Sequence, residues 1–363
     1  MIVRRLARDT LRPSIAMTED HRGHPVAEII RRRRAEGSRP GARRDRYRVA
    51  LVIEGGGMRG VVSAAMTAAL EQLGLRDAFD EVHGASAGAF NAAFFVAGQA
   101  AYLTALYLHG FGDPRFVSFV RALRGGPALD MDYVISDVWT HQRPLRFEAL
   151  RASSIELHCT ATDADRADIV DLAELHEDEE IKCALRASGR LPWLAGPPVH
   201  FRGRRLLDAT LAEAIPVKTP LASATHVLVL QTRPQGVTHA PLSGLVARLT
   251  DRYLQGINPA LVALRRTRSE RYDELSAALA ARAADPRASP SVCVIRPPAG
   301  ALLVGQLEHR SPALETAASH GLRAAWMALE GEDPELLATL RAFPRSAGPA
   351  QMVQPASVAG VWR

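Results

Sequence analysis

The residues with the clearest chemical potential are a serine and the glycines on either side of it. GASAG at 84–88 fits the pattern G-x-S-x-G, and Ser86 is its central residue. Val82 precedes it in a short strand-like segment, and the helix-like stretch AFNAAFFVAG follows. A strand, a sharp turn and a helix in this order expose a serine hydroxyl at the edge of a sheet, where it acts as a nucleophile. Gly84 and Gly88 suit that turn because they have no Cβ to crowd the neighbouring backbone.

A glycine-rich turn lies shortly before the serine. GGGMRG at 55–60 follows the strand-like RVALVIE and opens an alanine-rich helix. Backbone N–H groups at such a helix start favour negative charge, which can belong to a nucleotide phosphate or to an oxyanion formed during a reaction. A dinucleotide site also needs an acidic residue at the tip of the next strand, whereas Asp80 and Glu81 precede the body of that strand. With a serine nucleophile nearby we favour an oxyanion hole, and a nucleotide-binding module stays an alternative.

The serine needs a base, because its hydroxyl is unreactive at neutral pH. Nine histidines follow Ser86, and none lies in a distinctive local pattern. A Ser-Asp-His triad of the α/β-hydrolase type therefore stays open as an alternative. Asp208, in LLDATLAEAIPV, follows a short apolar pair, so we expect its carboxylate at the end of a strand. Aspartate in this setting is also typical of a turn or a helix N-cap.

Three motifs together resemble those of the patatin-like phospholipases, most closely of their bacterial branch. They are EGGGMRG, GASAG and LLDATLAEAIPV. The similarity continues through FGDPRF at 111–116, LRASGRLPWLAG at 185–196 and the HVLVLQTRP strand, and it spans residues 48–300. The resemblance implies a three-layer α/β/α sandwich with a mainly parallel sheet.

The resemblance also implies roles for residues within these motifs. A catalytic Ser-Asp dyad without histidine falls on Ser86 and Asp208. Arg59 stands at the family's arginine position, where we expect it to support the glycine loop. The implied oxyanion donors are the backbone amides of Gly55, Gly56 and Gly57.

The activity implied by the resemblance is that of a serine-dependent lipid acyl hydrolase of the phospholipase A, lysophospholipase or esterase type. Such an enzyme cleaves carboxylic esters of lipids through an acyl-enzyme, and we expect no metal and no organic cofactor. Ala209-Thr210 departs from the family, which has glycine after the catalytic aspartate, and Gly189-Arg190 replaces small or apolar residues. If the turn at Ala209 needs a positive φ, this residue costs about 1 kcal/mol and tilts Asp208. A catalytically impaired scaffold that binds lipid or a partner is therefore another alternative.

The elements that must position these residues alternate between strands and helices. Apolar residues recur at three- and four-residue spacing after Gly60 and after Gly88, which predicts two helices. Several strand-like runs are apolar throughout, as expected of strands covered on both faces. This alternation independently predicts an α/β sandwich with a largely parallel sheet. The predicted strands lie at 48–54, directly before residue 86, and at 155–161, 226–232 and 291–297.

The chain of 363 residues is 47% hydrophobic, which is enough for at least one full core. We expect a basic, flexible extension over 1–45, a catalytic domain over 46–300, a helical part packed on it over 301–342, and a loose tail over 343–363. No apolar run is long enough to span a bilayer, and the first residues lack the apolar segment of a signal peptide. The sequence therefore predicts a cytoplasmic protein.

The net formal charge is +6, and arginine is concentrated in IIRRRRAEGSRPGARRDRYR at 29–48. A basic run of this kind is usually a solvated arm. Because arginine near an anionic surface is stabilised, peripheral contact with anionic membrane through 29–48 is an alternative to the solvated arm, and no nucleic acid partner is expected. The three cysteines are far apart in the sequence, so neither a disulfide framework nor a zinc site is expected.

Overall fold

The structure is a computed structural model that describes residues 21–109, 126–238 and 242–331, together with positions 115, 118, 121 and 124. The predicted tail at 343–363, most of the FGDPRF motif and the first twenty residues lie outside the described residues. The predicted domain boundaries stay predictions.

A single mixed sheet holds the strands of the described residues. They are β1 (Val49–Ile53), β2 (Glu81–Ala85), β3 (Glu156–Asp163), β4 (Asp168–Leu172), β5 (Val199–Phe201), β6 (Arg204–Asp208), β7 (His226–Leu230) and β8 (Ser291–Ile295). Their order is β5-β6-β3-β2-β1-β7-β8, and β4 also pairs with β3. The pairs among β3, β2, β1, β7 and β8 are parallel, whereas β4, β5 and β6 pair in antiparallel fashion.

Helices cover both faces of this sheet. They are α1 (Pro25–Ala35), α2 (Val61–Gln72), α3 (Ala87–Val96), α4 (Ala100–His109), α5 (Met131–Tyr133, continued by a π-helix at Val134–Gln142), α6 (Phe147–Arg151), α7 (Asp178–Ser188), α8 (Lys218–Ser223), α9 (Gly244–Gln255), α10 (Pro259–Ala283) and α11 (Ser311–Glu330). Residues of α2, α3 and α11 share one core with the sheet, and residues of α10 share another. The predicted three-layer α/β/α sandwich with a mainly parallel sheet is confirmed.

The central strand β1 shows why this sheet is the middle layer of the sandwich. Val49, Leu51 and Ile53 belong to the larger core, whereas Ala50 and Val52 belong to the smaller core on the other face. Successive side chains of a strand point to opposite faces, so a strand that is apolar throughout must be covered on both. The five predicted strands are confirmed, and so are the helices after Gly60 and Gly88.

Two strands, β4 and β5, carried no sequence prediction, and β6 was predicted only through the strand end expected at Asp208; all three are short and mixed in polarity. β4 reads DIVDL, β5 reads VHF and β6 reads RRLLD. Neither a continuous apolar run nor a long alternation marks them, so the signal on which strand prediction depends is absent. They form the antiparallel edge of the sheet, and Asp208 is the last residue of β6.

The basic stretch at 29–48 is more ordered than predicted. Residues 25–35 form α1, in which Val26, Ala27, Ile29 and Ile30 are buried. A mobile arm is therefore wrong for this part of the predicted extension, because α1 has an apolar face that packs on the main core. Along the described ranges, no helix combines the length and apolarity needed to cross a bilayer.

Several arginines of this stretch are paired with carboxylates inside the protein. The Arg33 guanidinium is fully buried, 2.7 Å from Asp45 and 2.8 Å from Asp80. Arg43 binds the other oxygen of Asp80 at 2.7 Å, and Arg48 bridges carboxylates on β2 and β3. These side chains join the N-terminal segment to the sheet, so their charges are not free to attract an anionic surface.

Candidate active site

The predicted nucleophile elbow is present between β2 and α3. Ser86 has φ 56° and ψ −125°, in the left-handed region that residues other than glycine rarely adopt. A Cβ on Gly84 would clash with the backbone of Ala89, and a Cβ on Gly88 would clash with the carbonyl oxygen of Ile53. The strain at Ser86 and the close packing of both glycines are those of a strand-turn-helix that presents a serine hydroxyl.

The structure brings Ser86 and Asp208 together. The Ser86 hydroxyl donates to Oδ2 of Asp208 at 2.8 Å, although 122 positions separate the two residues in the sequence. The other carboxylate oxygen, Oδ1, accepts from the backbone N–H of Thr210 at 2.8 Å and from its hydroxyl at 2.5 Å. Asp208 is fully buried and Ser86 is 6% exposed, so this pair lies in a nearly dry environment.

The backbone around Asp208 is fixed by its neighbours in the sheet. Its N–H donates to the carbonyl of Arg190 at 2.9 Å, and its carbonyl accepts from the Thr162 hydroxyl at 2.8 Å. Ala209 begins a short 3₁₀ turn and is not among the described residues with positive φ. The turn therefore does not require a left-handed residue. Ala209 fits it without the strain that a positive φ would cause.

Thr210 is a site residue that the sequence reasoning missed. It stood out only as a departure from the glycine of the family, but it supplies two of the three hydrogen bonds to the Asp208 carboxylate. Ser188 was missed as well, although it lies in the RASG stretch: its hydroxyl accepts from the backbone N–H of Ser86 at 2.8 Å. One local signal could have identified Thr210: an aspartate side chain often accepts a hydrogen bond from the backbone N–H two residues further on, as Asp208 does here.

Burial raises the pKa of Asp208, and the hydrogen bonds from Thr210 and Ser86 oppose this rise only in part. The positive charge of Arg268, on α10, also favours the ionised form. A higher pKa makes the carboxylate a stronger base than an exposed aspartate. The environment of Asp208 therefore suits proton transfer from a neighbouring hydroxyl.

The glycine loop lies against the elbow. A Cβ on Gly55 would clash with the carbonyl oxygen of Ala85 and come within 2.9 Å of the Gly88 nitrogen. Gly56 and Gly57 have φ values of 139° and 60°, which glycine tolerates. The next amide, of Met58, donates to the carbonyl of Gln306 at 2.9 Å, whereas no acceptor within the described ranges pairs with the amides of Gly56 and Gly57. Two backbone donors are thus available beside Ser86.

Arg59 lies beneath this loop. Its guanidinium packs on Gly56, where an added Cβ would come within 2.6 Å of Nη2, and its Nε donates to the Thr232 hydroxyl at 3.1 Å. Thr232 also donates its N–H to the buried carboxylate of Glu54 at 2.7 Å. Burial lowers the pKa of Arg59 to about 10, so the side chain remains charged at neutral pH. These contacts hold Gly56 in place from below.

The geometry disfavours two of the alternatives. The hydrogen bonds of the Ser86 and Asp208 side chains run to each other and to Thr210, and no histidine of the described residues is among their partners. Asp80, the acidic residue that a dinucleotide site would need, accepts from the N–H of Val49 at the start of β1 and binds Arg33. It lies at the end of the strand away from the glycine loop, where it cannot reach a nucleotide bound there.

Comparison with known proteins places this site in a family. The uncharacterized protein YjjU of Escherichia coli (strain K12) is 28% identical over 198 residues, which are 53% of this chain and 54% of that protein. The chain thus spans about half the length of this curated relative. Among solved structures, VipD from Legionella pneumophila superposes with a TM-score of 0.41 and 12% identity over 79% of this chain and 67% of that chain.

A structure of full-length SpcU with full-length ExoU from Pseudomonas aeruginosa gives a TM-score of 0.24 and 13% identity, over 79% of this chain and 72% of the other. The family model described as "Patatin-like phospholipase" matches residues 51–221, a range that contains the glycine loop, the elbow and Asp208. These residues therefore form a domain of the patatin-like phospholipase family.

Proposed function

We propose that the chain is a serine-dependent lipid acyl hydrolase that cleaves carboxylic esters with a Ser86-Asp208 dyad. The observation that carries the proposal is the 2.8 Å hydrogen bond between the two side chains, in a buried site. Beside it lie glycine amides that pair with no acceptor in the described part of the chain. Patatin-like phospholipases act on lipid esters, and the family match supports this substrate class. Phospholipids, lysophospholipids and simple acyl esters are all within that class.

In the first half of the reaction, Asp208 accepts the proton of the Ser86 hydroxyl as Oγ bonds to the ester carbonyl carbon. The carbonyl oxygen becomes an oxyanion, and the amides of Gly56 and Gly57 donate to it, with Gly55 completing the loop. Collapse of this intermediate breaks the bond to the leaving alcohol, which takes the proton back from Asp208. The acyl group is then attached to Ser86.

In the second half, Asp208 takes a proton from a water molecule whose oxygen attacks the acyl carbon. The bond to Ser86 breaks, its oxygen recovers the proton, and the fatty acid leaves. A positioned base contributes roughly 10²–10⁴ in rate, and each oxyanion donor contributes about 10²–10³. A single carboxylate can serve both steps, because it ends each of them in the ionised form.

Removing either member of the dyad tests the mechanism. We expect Ser86→Ala and Asp208→Asn each to lower kcat by at least about 10³ on p-nitrophenyl esters of graded chain length. Ser136→Ala and Asp77→Asn are matched controls away from the site and should keep wild-type rates. Circular dichroism and thermal melting verify that each variant is folded.

The remaining outcomes of this assay discriminate among the alternatives. Turnover that survives in both dyad variants would contradict the proposed mechanism. A wild-type protein as inert as the variants toward lipid and model esters would favour the catalytically impaired scaffold. Loss of turnover on replacing one histidine, with the fold retained, would point to a triad.

Thr210 gives a second test through pH. Ionised Asp208 is the active base, so kcat/KM should rise with pH through the pKa of Asp208, and burial places that rise above the usual aspartate range. Thr210→Val removes one hydrogen bond to the charged form and should move the acid limb to higher pH while lowering kcat about tenfold. Thr210→Ser keeps the hydroxyl and should restore both. An acid limb that stays in place in Thr210→Val would show that this bond does not tune the base.

Peripheral contact with membrane is proposed through apolar side chains near the site rather than through 29–48. Leucines on α9 and after β8 are exposed, and Leu245 is 70% exposed. A hydrogen bond from Trp193 Nε1 to the Thr250 hydroxyl joins α9 to the segment that follows α7. The loop that contains Leu307 contacts the glycine loop, because the carbonyl of Gln306 accepts from the N–H of Met58. Exposed apolar patches of this kind mark surfaces that bind lipid or protein. The exposed residues are Leu242, Leu245, Val246, Leu249, Leu302, Leu303 and Leu307.

Cosedimentation with vesicles of phosphatidylcholine and phosphatidylglycerol separates the two surfaces. We expect the double variant Leu245→Ser and Leu249→Ser to bind at least about tenfold more weakly than wild type, because two large apolar side chains no longer enter the lipid. The double variant Arg44→Ser and Arg46→Ser should bind like wild type. The reverse pattern would show that residues 29–48, and not the exposed leucines, make the membrane contact.

A further inference from the structure

Two Glu-x-His motifs lie side by side on the sheet, away from the dyad. Glu81-Val82-His83 opens β2, and Glu156-Leu157-His158 opens β3. The two strands are parallel neighbours with Glu81 opposite Glu156 and His83 opposite His158. Alternate residues of a strand share a face, so all four side chains lie on the same face of the sheet. Ser86 follows the other end of β2, which makes this cluster a separate site.

The donor atoms of this cluster converge. One ligand atom from each of Glu81, His83 and His158 lies within 4.8 Å of the others. The two imidazole rings stack, with centroids 4.1 Å apart. His83 is 1% exposed and lies with its Nε2 3.3 Å from Glu81 Oε1, whereas Nε2 of His158, which is 7% exposed, has no hydrogen-bond partner within the described ranges. Buried polar atoms are nearly always paired, so the orphaned His158 nitrogen beside this pair calls for an occupant.

The surroundings orient these donors as in a metal site. Asp171 Oδ2 lies 2.7 Å from His158 Nδ1, and the neutral tautomer with its proton on Nδ1 donates to this carboxylate and leaves the Nε2 lone pair for a metal ion. A carboxylate behind a histidine ligand is the common arrangement around zinc. Arg48 holds Glu81 Oε2 at 2.6 Å, which leaves Oε1 to face His83 Nε2 at 3.3 Å. Glu156 Oε2 lies 3.6 Å from His158 Nε2 and is a fourth donor.

The charge of the cluster favours a cation. Glu81, Glu156 and Asp171 bring three carboxylates, and Arg48 is the cation bound to two of them.

We propose that Glu81, His83 and His158 bind a zinc ion, with Glu156 or a water molecule as the fourth ligand. Two imidazoles and carboxylate oxygen form a donor set that zinc prefers, and the site needs four ligands at about 2.0–2.2 Å. The ligand atoms, now within 4.8 Å of one another, must therefore draw together, and the stacked rings must turn so that both lone pairs point at one ion. A zinc ion here joins β2 to β3 and leaves the dyad untouched, so its role is to stabilise the sheet.

Zinc titration of the full chain after chelator treatment tests the proposal independently of ester hydrolysis. We expect wild type to bind one equivalent by calorimetry, and to melt roughly 3 °C higher at a zinc concentration about 100 times Kd. His83→Gln and His158→Gln should each weaken binding at least about tenfold. His141→Gln replaces an exposed histidine outside the cluster and should bind as wild type does.

A measurement on wild type alone keeps the test valid if the histidine variants misfold. X-ray absorption of the zinc-loaded protein should show two imidazole ligands with the remainder oxygen, and the cobalt-substituted protein should show the strong visible absorption of a tetrahedral centre. Zinc that binds wild type and His83→Gln equally, or a zinc spectrum without imidazole ligands, would overturn the assignment. So would a wild-type protein that binds no zinc.

Discussion

The buried carboxylate of Asp208 is the constraint on which the architecture of the active site depends. An ionised group without water is costly unless its lone pairs are satisfied, and here three hydrogen bonds from Ser86 and Thr210 satisfy them. Supplying those donors requires β6 to end beside the tip of β2. The antiparallel pairing of β6 with β3, which runs parallel to β2, achieves this. The mixed sheet is thus what brings Ser86 and Asp208 into contact although they are so distant in sequence.

Close backbone approach is the second requirement, and it explains the glycines better than flexibility does. The elbow and the glycine loop follow adjacent parallel strands, so their turns emerge side by side at one edge of the sheet. Gly55 and Gly88 have no room for a side chain because each faces backbone of the other strand's turn. The same contact brings the glycine loop to the elbow that carries Ser86. Packing through Gly55 and Gly88 therefore also positions the proposed oxyanion donors, the amides of Gly56 and Gly57.

A feature of this protein could be predicted from the sequence when the residues that form it are close together along the chain. The elbow and the glycine loop are contiguous motifs, so they are readable along the chain, and the resemblance added Asp208. The contribution of Ser188 depends on where α7 packs, which no local pattern records. The basic stretch misled because its arginines pair with carboxylates that the run of letters does not reveal. Arg33 binds Asp45 and Asp80, and Arg48 binds carboxylates on β2 and β3. Likewise, the two Glu-x-His motifs become a site only through the register of β2 and β3.

The most direct test of the account is covalent labelling of the purified protein with a fluorophosphonate, followed by mass spectrometry of the intact chain and its peptides. The reagent traps a serine only where a base activates the hydroxyl and donors hold the developing negative charge. We expect one adduct, located on Ser86, that forms far more slowly in Asp208→Asn of verified fold. Labelling elsewhere, or an equal rate in Asp208→Asn, would contradict it.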